Sequence, residues 1–509
     1  MSEAPYRSAA MARLVDRVGT TTTTSRHAFS RSEMAVAIQG FEHVAMTCSP
    51  RWSFSRRRRR CRPSGGSLRR SAISITVVGL VWLLAAPGAA AGPLPRCADQ
   101  GWVGVWAAPP SDASRGIDTV DPFDWDQFDA SRNPKSVMRN ETTRAILTPT
   151  LGGSTARVRL SNRFGTVPVT FAHVTIARRA MEAGLVPDTV VPLTFGGRQS
   201  VTVARGQGVV SDPIGFSFDA FQSLAVSVFV TGDVGKPTEH FTARQTSYLT
   251  PEDVGDHTED VDGGAFTQRT TTRPLVTGID VLAPPSNGAI VALGDSITDG
   301  YQELPSGPPE SPEGIDADGR WTDVLARRLR AANRPLSVLN AGISGNRVLR
   351  DGTVGGNLDL YGPAAIRRLD ADVLSQAGVT AVIVFEGNND MLETPNATVE
   401  ELLGGYREVI DVLHSRGLRV LQGPLTPVGG LAGAPSDAAP KRQAVNTWIR
   451  EQSPADAVID FDSAVRDPAD PSRINPAFDG GDHLHFNLAG YLAMGNAVPL
   501  ELLFDPACT

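Results

Sequence analysis

The sequence predicts two folded regions in series, a β-sandwich or jelly-roll over 97–285 and an α/β domain with a parallel sheet over 286–509. Three observations carry this. Short alternating segments separated by glycine-rich turns fill the first region; buried apolar runs alternating with helical patterns fill the second; and the dipeptide Pro284–Pro285, followed by Ser286, Asn287 and Gly288, separates the two textures. The 509 residues are 41% hydrophobic, 20% charged and 6% aromatic, an ordinary globular composition that excludes a collagen-like, wholly disordered or multispan membrane chain.

Ahead of both regions lies a leader. Residues 1–91 hold 14 Arg and 4 acidic residues, a net of +10, against 34 basic and 51 acidic residues, a net of −17, in the remainder. An acidic body has no excess cation for phosphates, so nucleic acid is not an expected partner. Arg69–Arg70, the apolar stretch Ala72–Ala86 and the small run Ala89–Ala91 make the three-part pattern of a secretory signal peptide, with cleavage after Ala91 and a secreted product. A membrane anchor is the alternative, but fifteen helical residues span only about 22 Å, short of a hydrocarbon core of about 30 Å. Cleavage removes Cys48 and Cys61 and leaves Cys97 and Cys508, a pair expected to form a disulfide in an oxidising compartment; two unpaired thiols in the tails are the alternative.

In the first region the strands read as Ala156–Leu160, Val167–Phe171, Val174–Ala177, Ser200–Val203 and Leu224–Val230. Several such strands with few helical stretches give the sandwich or jelly-roll expectation. In the second, strands are read at Ala289–Leu293, Ser337–Leu339, Val379–Phe385, Leu418–Leu421 and Ala457–Phe461. Between and after them come helical spacings at Trp321–Leu329, Ala364–Leu369, Val399–Leu413, Arg442–Gln452 and Leu488–Val498. A β-α alternation implies a parallel sheet covered on both faces, with chemistry at the carboxyl ends of its strands.

The residues just beyond those strand ends are therefore informative. Gly294-Asp295-Ser296-Ile297-Thr298-Asp299-Gly300 puts a serine at a tight turn, although Thr298 stands where the G-x-S-x-G elbow needs glycine, and a plain surface turn has the same composition. Three more segments are Asn340-Ala341-Gly342-Ile343-Ser344-Gly345-Asn346, Glu386-Gly387-Asn388-Asn389-Asp390 and Asp482-His483-Leu484-His485. In type and order the four blocks resemble the SGNH (GDSL-type) hydrolases over Ala289 to Phe504. The resemblance implies a flavodoxin-like three-layer SGNH hydrolase domain. It also implies a nucleophile at Ser296, a general base at His485 oriented by Asp482, and an oxyanion hole from the N–H groups of Ser296 and Gly345 and the side-chain amide of Asn389. A serine hydroxyl needs an imidazole to take its proton, and the imidazole needs a carboxylate on its other nitrogen. The spacing from Asp482 to His485 is about one helical turn, which would bring both side chains to one side.

The sequence departs from the family pattern in places. Ile297 replaces leucine, and Phe486 stands where proline often follows the histidine. Asn388 competes with Asn389 until one counts back from Asp390. The segment Gln302–Gly319 is an insertion, either a flap or a surface loop. His483 beside Asp482 raises a metal cluster, but no ligand spacing supports one, and no metal or cofactor is expected. His173, His240, His257 and His414 have no motif and read as solvent-facing or structural. Glu386 reads as a buried, hydrogen-bonded carboxylate, and no second acid offers a glycosidase pair.

The opening Trp102-Val103-Gly104-Val105-Trp106-Ala107 together with the hydrolase blocks resembles the branch related to xylanase-associated arylesterases and acylhydrolases. That implies a secreted serine esterase acting on short-chain esters, acetyl or aryl, with acylated polysaccharide among the candidate substrates. A monomer without a stable membrane anchor is expected. The rival reading is a carbohydrate-binding protein whose hydrolase domain is inactive.

Overall fold

The strand Gly288–Gly294 lies inside the parallel sheet, paired on both sides, and is buried along its whole length. Ala289, Val291 and Leu293 enter one hydrophobic cluster and Ile290 and Ala292 another, so successive side chains fill cores on opposite faces. This is why the sequence there is continuously apolar rather than alternating. The computed structural model describes residues 101–113, 137–284, 286–302, 314–354 and 357–504. The leader, Cys97, Cys508 and positions 303–313 of the insertion lie outside the described residues.

Five parallel strands stand in the order Leu336–Gly342, Gly288–Gly294, Val379–Phe385, Arg419–Gln422 and Ala457–Val458. Numbered along the chain this is 2-1-3-4-5, the flavodoxin-like order, and its switch point falls between the first and third strands. Helices Trp321–Ala331 and Leu488–Ala497 cover one face through Trp321, Leu325, Leu329, Tyr491 and Met494. Helices Val399–Ser415 and Ala438–Glu451 cover the other through Leu402, Tyr406, Ile410, Leu413, Val445 and Ile449. Thr398 begins the longest helix by a reciprocal cap: its hydroxyl accepts the Glu401 N–H at 3.2 Å while Glu401 accepts the Thr398 N–H at 2.8 Å.

Four predicted elements change. Val167–Phe171, from Val169 onward, and Val174–Ala177 belong to one strand, Val169–Arg178. Helix Ala438–Glu451 starts a turn earlier than its apolar spacing indicated. The expected strand Ala457–Phe461 stops at Val458, because the Asp460 carboxylate accepts the Ser463 N–H and caps a short helix, Phe461–Val465.

The N-terminal region is β-rich. Gly101–Ala107, Val276–Ala283, Gly153–Asn162 and Gln207–Val210 form one antiparallel sheet, with Ile214–Phe218 also on Gly153–Asn162. Strands Arg139–Leu147, Leu224–Asp233 and Val169–Arg178 centre a seven-stranded one. Inward residues of both, such as Val158 and Ile279 from the first and Val174 and Val228 from the second, enter the same cluster as Val291 and Leu293 of the parallel sheet. All described residues belong to one compact unit, Ala86–Thr509.

Hydrogen bonds close the seam between the two regions. The Gly104 N–H donates to Ala377 O at 2.8 Å and Ser337 Oγ donates to Gly104 O at 2.5 Å. A Cβ on Gly104 would come within 2.9 Å of Leu339 Cδ1, so a side chain there would displace that leucine. Thr150 Oγ1 accepts the Val338 N–H at 3.0 Å. Thr150→Val keeps the shape and leaves that buried N–H unpaired, so chemical denaturation should show a loss of about 1–3 kcal/mol; wild-type stability would mean that the seam does not depend on this bond.

Candidate active site

Strand Gly288–Gly294 ends under tight packing: a Cβ on Gly294 would lie 2.2 Å from Thr298 Oγ1 and 2.5 Å from Phe385 O. Beyond it the Asp295 carboxylate accepts the Ile297 N–H at 3.0 Å and caps the four-residue helix Ser296–Asp299, which Gly300 ends at φ 93°. Ser296 thus occupies the first helical position, where the N–H has no partner within the helix. Burial pushes the Asp295 carboxyl up to about 6 despite the bond from Ile297.

Ser296 and His485, 189 residues apart, meet with Oγ 2.8 Å from Nε2. The other ring nitrogen, Nδ1, is 2.5 Å from Asp482 Oδ2. An ionised carboxylate can only accept, so Nδ1 carries the proton and Nε2 is left to receive the one on Ser296. Burial alone would raise Asp482, but the bond and charge of His485 and the N–H groups of His485 and Leu484 outweigh it and hold the carboxyl at about 2. The expected helical turn from Asp482 to His485 is absent. The segment is a bend, closed by Asp482 Oδ1 accepting the N–H groups of Leu484 at 2.9 Å and His485 at 2.8 Å. Phe486 is buried edge-on to Tyr491 at 5.9 Å, which ties the bend into the core.

The loops after the two flanking strands converge on the same place. Gly342 pairs with Gly294 across the sheet, and the Ile343 N–H donates to Gly294 O at 3.1 Å. Gly345 follows at φ 77°, with the Tyr361 ring 2.0 Å from where a Cβ would stand, so conformation and space both require glycine. On the other side helix Asn388–Leu392 begins after Phe385. Asn389 Nδ2 donates to Asn346 O at 2.9 Å, whereas Asn388 Nδ2 turns to Thr426 Oγ1 at 3.2 Å. Asp390 accepts the N–H groups of Val348 and Leu349 at 2.8 and 3.0 Å. Asn389 is therefore the asparagine tied to the Gly345–Asn346 loop.

Two neighbours of the site were not legible in the sequence. Arg368 is fully buried; Nη2 donates to Gly294 O at 2.9 Å, Nη1 to Ala341 O at 2.8 Å and Nε to Asn346 Oδ1 at 2.8 Å. An arginine on the apolar face shared with Ala364 and Ala365 was the available signal. Tyr301 meets the His485 ring edge-on, centroids 4.7 Å apart; nothing in its local sequence marks it.

Glu386 is buried as expected, but its oxygens form no hydrogen bond, and Oε2 lies 3.6 Å from Arg368 Nη2. Among the histidines without a motif, His173, His257 and His414 pair with Asp256, Asp260 and Asp456 at 2.7, 2.7 and 3.0 Å. His173 and His240 are buried, on the structural side of the two readings. His483 pairs with Asp479 at 2.6 Å, and among the described residues no group of three or more His, Cys, Asp or Glu could hold a metal ion. No helix among the described residues is long and apolar enough to cross a membrane.

Burial lifts the Glu386 carboxyl to about 8 against the opposing charge of Arg368. A carboxyl raised on folding contributes stability fully below its unfolded value, about 4.3, and loses it as pH climbs through the folded value. Thermal unfolding should accordingly show wild type losing stability relative to Glu386→Gln between about pH 5 and pH 9; parallel curves would contradict the burial argument.

No curated protein matches the chain. Among solved structures it is similar to an aryl esterase from M. smegmatis at 21% identity, over 43% of this chain and 100% of that one, with a TM-score of 0.33. A carbohydrate acetylesterase from Sinorhizobium meliloti matches at 18% over 41% and 95%, TM-score 0.33, and a lipase/acylhydrolase from Enterococcus faecalis at 22% over 41% and 92%, TM-score 0.30. Residues 292–493, which contain all four blocks, match the GDSL-like Lipase/Acylhydrolase family.

Proposed function

We propose that the protein is a serine esterase, with Ser296 the nucleophile, His485 the general base, Asp482 its orienter, and Ser296, Gly345 and Asn389 the oxyanion donors. The observation that carries this reading is the unbroken line from Ser296 Oγ to His485 Nε2 at 2.8 Å and from His485 Nδ1 to Asp482 at 2.5 Å. The family match over residues 292–493 agrees with it.

The geometry sets the chemistry. His485 Nε2 takes the hydroxyl proton as Ser296 Oγ bonds to the ester carbonyl carbon, and the carbonyl oxygen becomes an oxyanion facing the three donors. Collapse expels the alcohol, which receives that proton from His485, and leaves an acyl-serine. Water then repeats the cycle, with His485 taking its proton and returning it to Ser296. Asp482 stays ionised throughout, because its carboxyl is held at about 2.

In the fuller reading the enzyme is secreted, a Cys97–Cys508 disulfide joins its ends, and the β-rich region is a sandwich. The substrates are short-chain esters, acetyl or aryl, including those on polysaccharide. This part rests on the leader pattern and on the resemblance of the Trp102–Ala107 opening and the hydrolase blocks.

The purified protein should hydrolyse p-nitrophenyl acetate without added metal, and Ser296→Ala should lower kcat by more than about 10⁴-fold with the fold intact. Equal turnover by that variant would refute the nucleophile. A fluorophosphonate should label wild type and not Ser296→Ala; an unlabelled, inactive wild type would favour the binding-protein reading. Asn389→Ala should lower kcat by about 10²–10³-fold, the cost of one oxyanion donor.

A further inference from the structure

The β-rich region reaches the candidate site through the buried segment 238–246. Thr246 donates its N–H to Asp316 Oδ1 at 2.7 Å, and Arg320 Nη2 donates to Ala243 O at 2.5 Å, so the segment is fastened to the chain leading into helix Trp321–Ala331. Its most direct contact is made by His240. Nδ1 lies 2.7 Å from Pro109 O, and Nε2 lies 3.0 Å from Asp299 Oδ1 and 3.2 Å from Thr242 O; all three oxygens accept, so each ring nitrogen donates and the ring is in the imidazolium form.

Asp299 is the last residue of the short helix that begins at Ser296. Its second oxygen, Oδ2, accepts the Ser344 N–H at 3.1 Å and the Ser344 hydroxyl at 2.8 Å. Ser344 immediately precedes Gly345. One carboxylate thus links a histidine of the β-rich region to the oxyanion loop, from within the helix that bears the nucleophile. His240 and Asp299 are both buried, so displacing one leaves the other without water as a substitute.

We propose that His240 is a positioning residue for ester hydrolysis: it holds Asp299, and Asp299 holds the Ser344–Gly345 turn where the oxyanion forms. This rests on the esterase reading for its catalytic consequence but not for the relay itself. The β-rich region is then part of the hydrolytic site and not only an appended sugar-holding module.

Two measurements on the full chain test it. In deuterium exchange, His240→Phe should speed exchange of the amides from Ile343 to Asn346, and His240→Gln, which keeps an amide donor toward Asp299, should restore much of the protection. Unchanged exchange there in a folded His240→Phe overturns the relay, whether or not the protein cleaves esters.

On p-nitrophenyl acetate, His240→Phe should lower kcat by about 10- to 100-fold, the scale of a small misplacement, with KM within about 2-fold of wild type. His240→Gln should recover most of kcat. Ser344→Ala should also lower kcat, and the double variant should lose less than the product of the two single losses, since both act through Asp299. Multiplicative losses, or a Ser344→Ala variant as fast as wild type, would overturn the proposal, and Ser344→Ala serves if His240→Phe does not fold. A wild type without esterase activity but with the expected exchange changes would refute the esterase reading and leave the relay standing.

Discussion

The arrangement around Ser296 depends on one buried cation. The Arg368 guanidinium is removed from water and must find acceptors within the protein. It finds them at the carboxyl ends of two adjacent parallel strands, Gly294 O and Ala341 O, and at Asn346 Oδ1 in the loop after the second. A carbonyl oxygen has two lone pairs, so Gly294 O accepts the guanidinium as well as the Ile343 N–H, and a planar donor fork serves several such acceptors at once. The same fork faces Glu386, the first residue after the third strand. Two loops that diverge in sequence are thereby held to a common origin, and the third begins 3.6 Å from it.

Around that origin identical chemical groups are pushed in opposite directions. Asp295 and Asp390 are carried up to about 6 and Glu386 to about 8, in each case by burial first. Asp482 is held at about 2 although it too is largely out of water. The difference is its partners: a histidine ring and two backbone N–H groups converge on Asp482, whereas Asp295 has one side-chain acceptor bond from Ile297, and Asp390 has two backbone donors without a cation in contact. Environment, not residue type, decides which carboxylate stays charged beside the histidine.

The β-rich region cannot be treated as a separate attachment. Val158, Ile279 and Val228 share a cluster with Val291 and Leu293, and hydrogen bonds at Gly104, Thr150 and Ser337 cross the junction. The texture change at Pro284–Pro285 is real in the sequence, yet only four residues separate strand Val276–Ala283 from strand Gly288–Gly294. A change of secondary-structure pattern marks where the architecture changes, and says nothing about whether the two sides bury surface against each other.

By itself the sequence determined the parallel strands, most of their helices and the blocks bearing Ser296, Gly345, Asn389, Asp482 and His485, because apolar period and turn chemistry are local properties of the chain. Its errors were also local: the strand ended early at Val458 because a cap at Asp460 outcompeted extension, and the Asp482–His485 pair closed through a bend where spacing indicated a helical turn. Only the tertiary structure decided that Ser296 and His485 meet across 189 residues, that Arg368 binds the strand ends, that Tyr301 lies against the histidine and that His240 reaches Asp299. Those are contacts between side chains distant in sequence, and their partners are chosen by which groups burial leaves without water, a condition that exists only once the sheets and helices have packed.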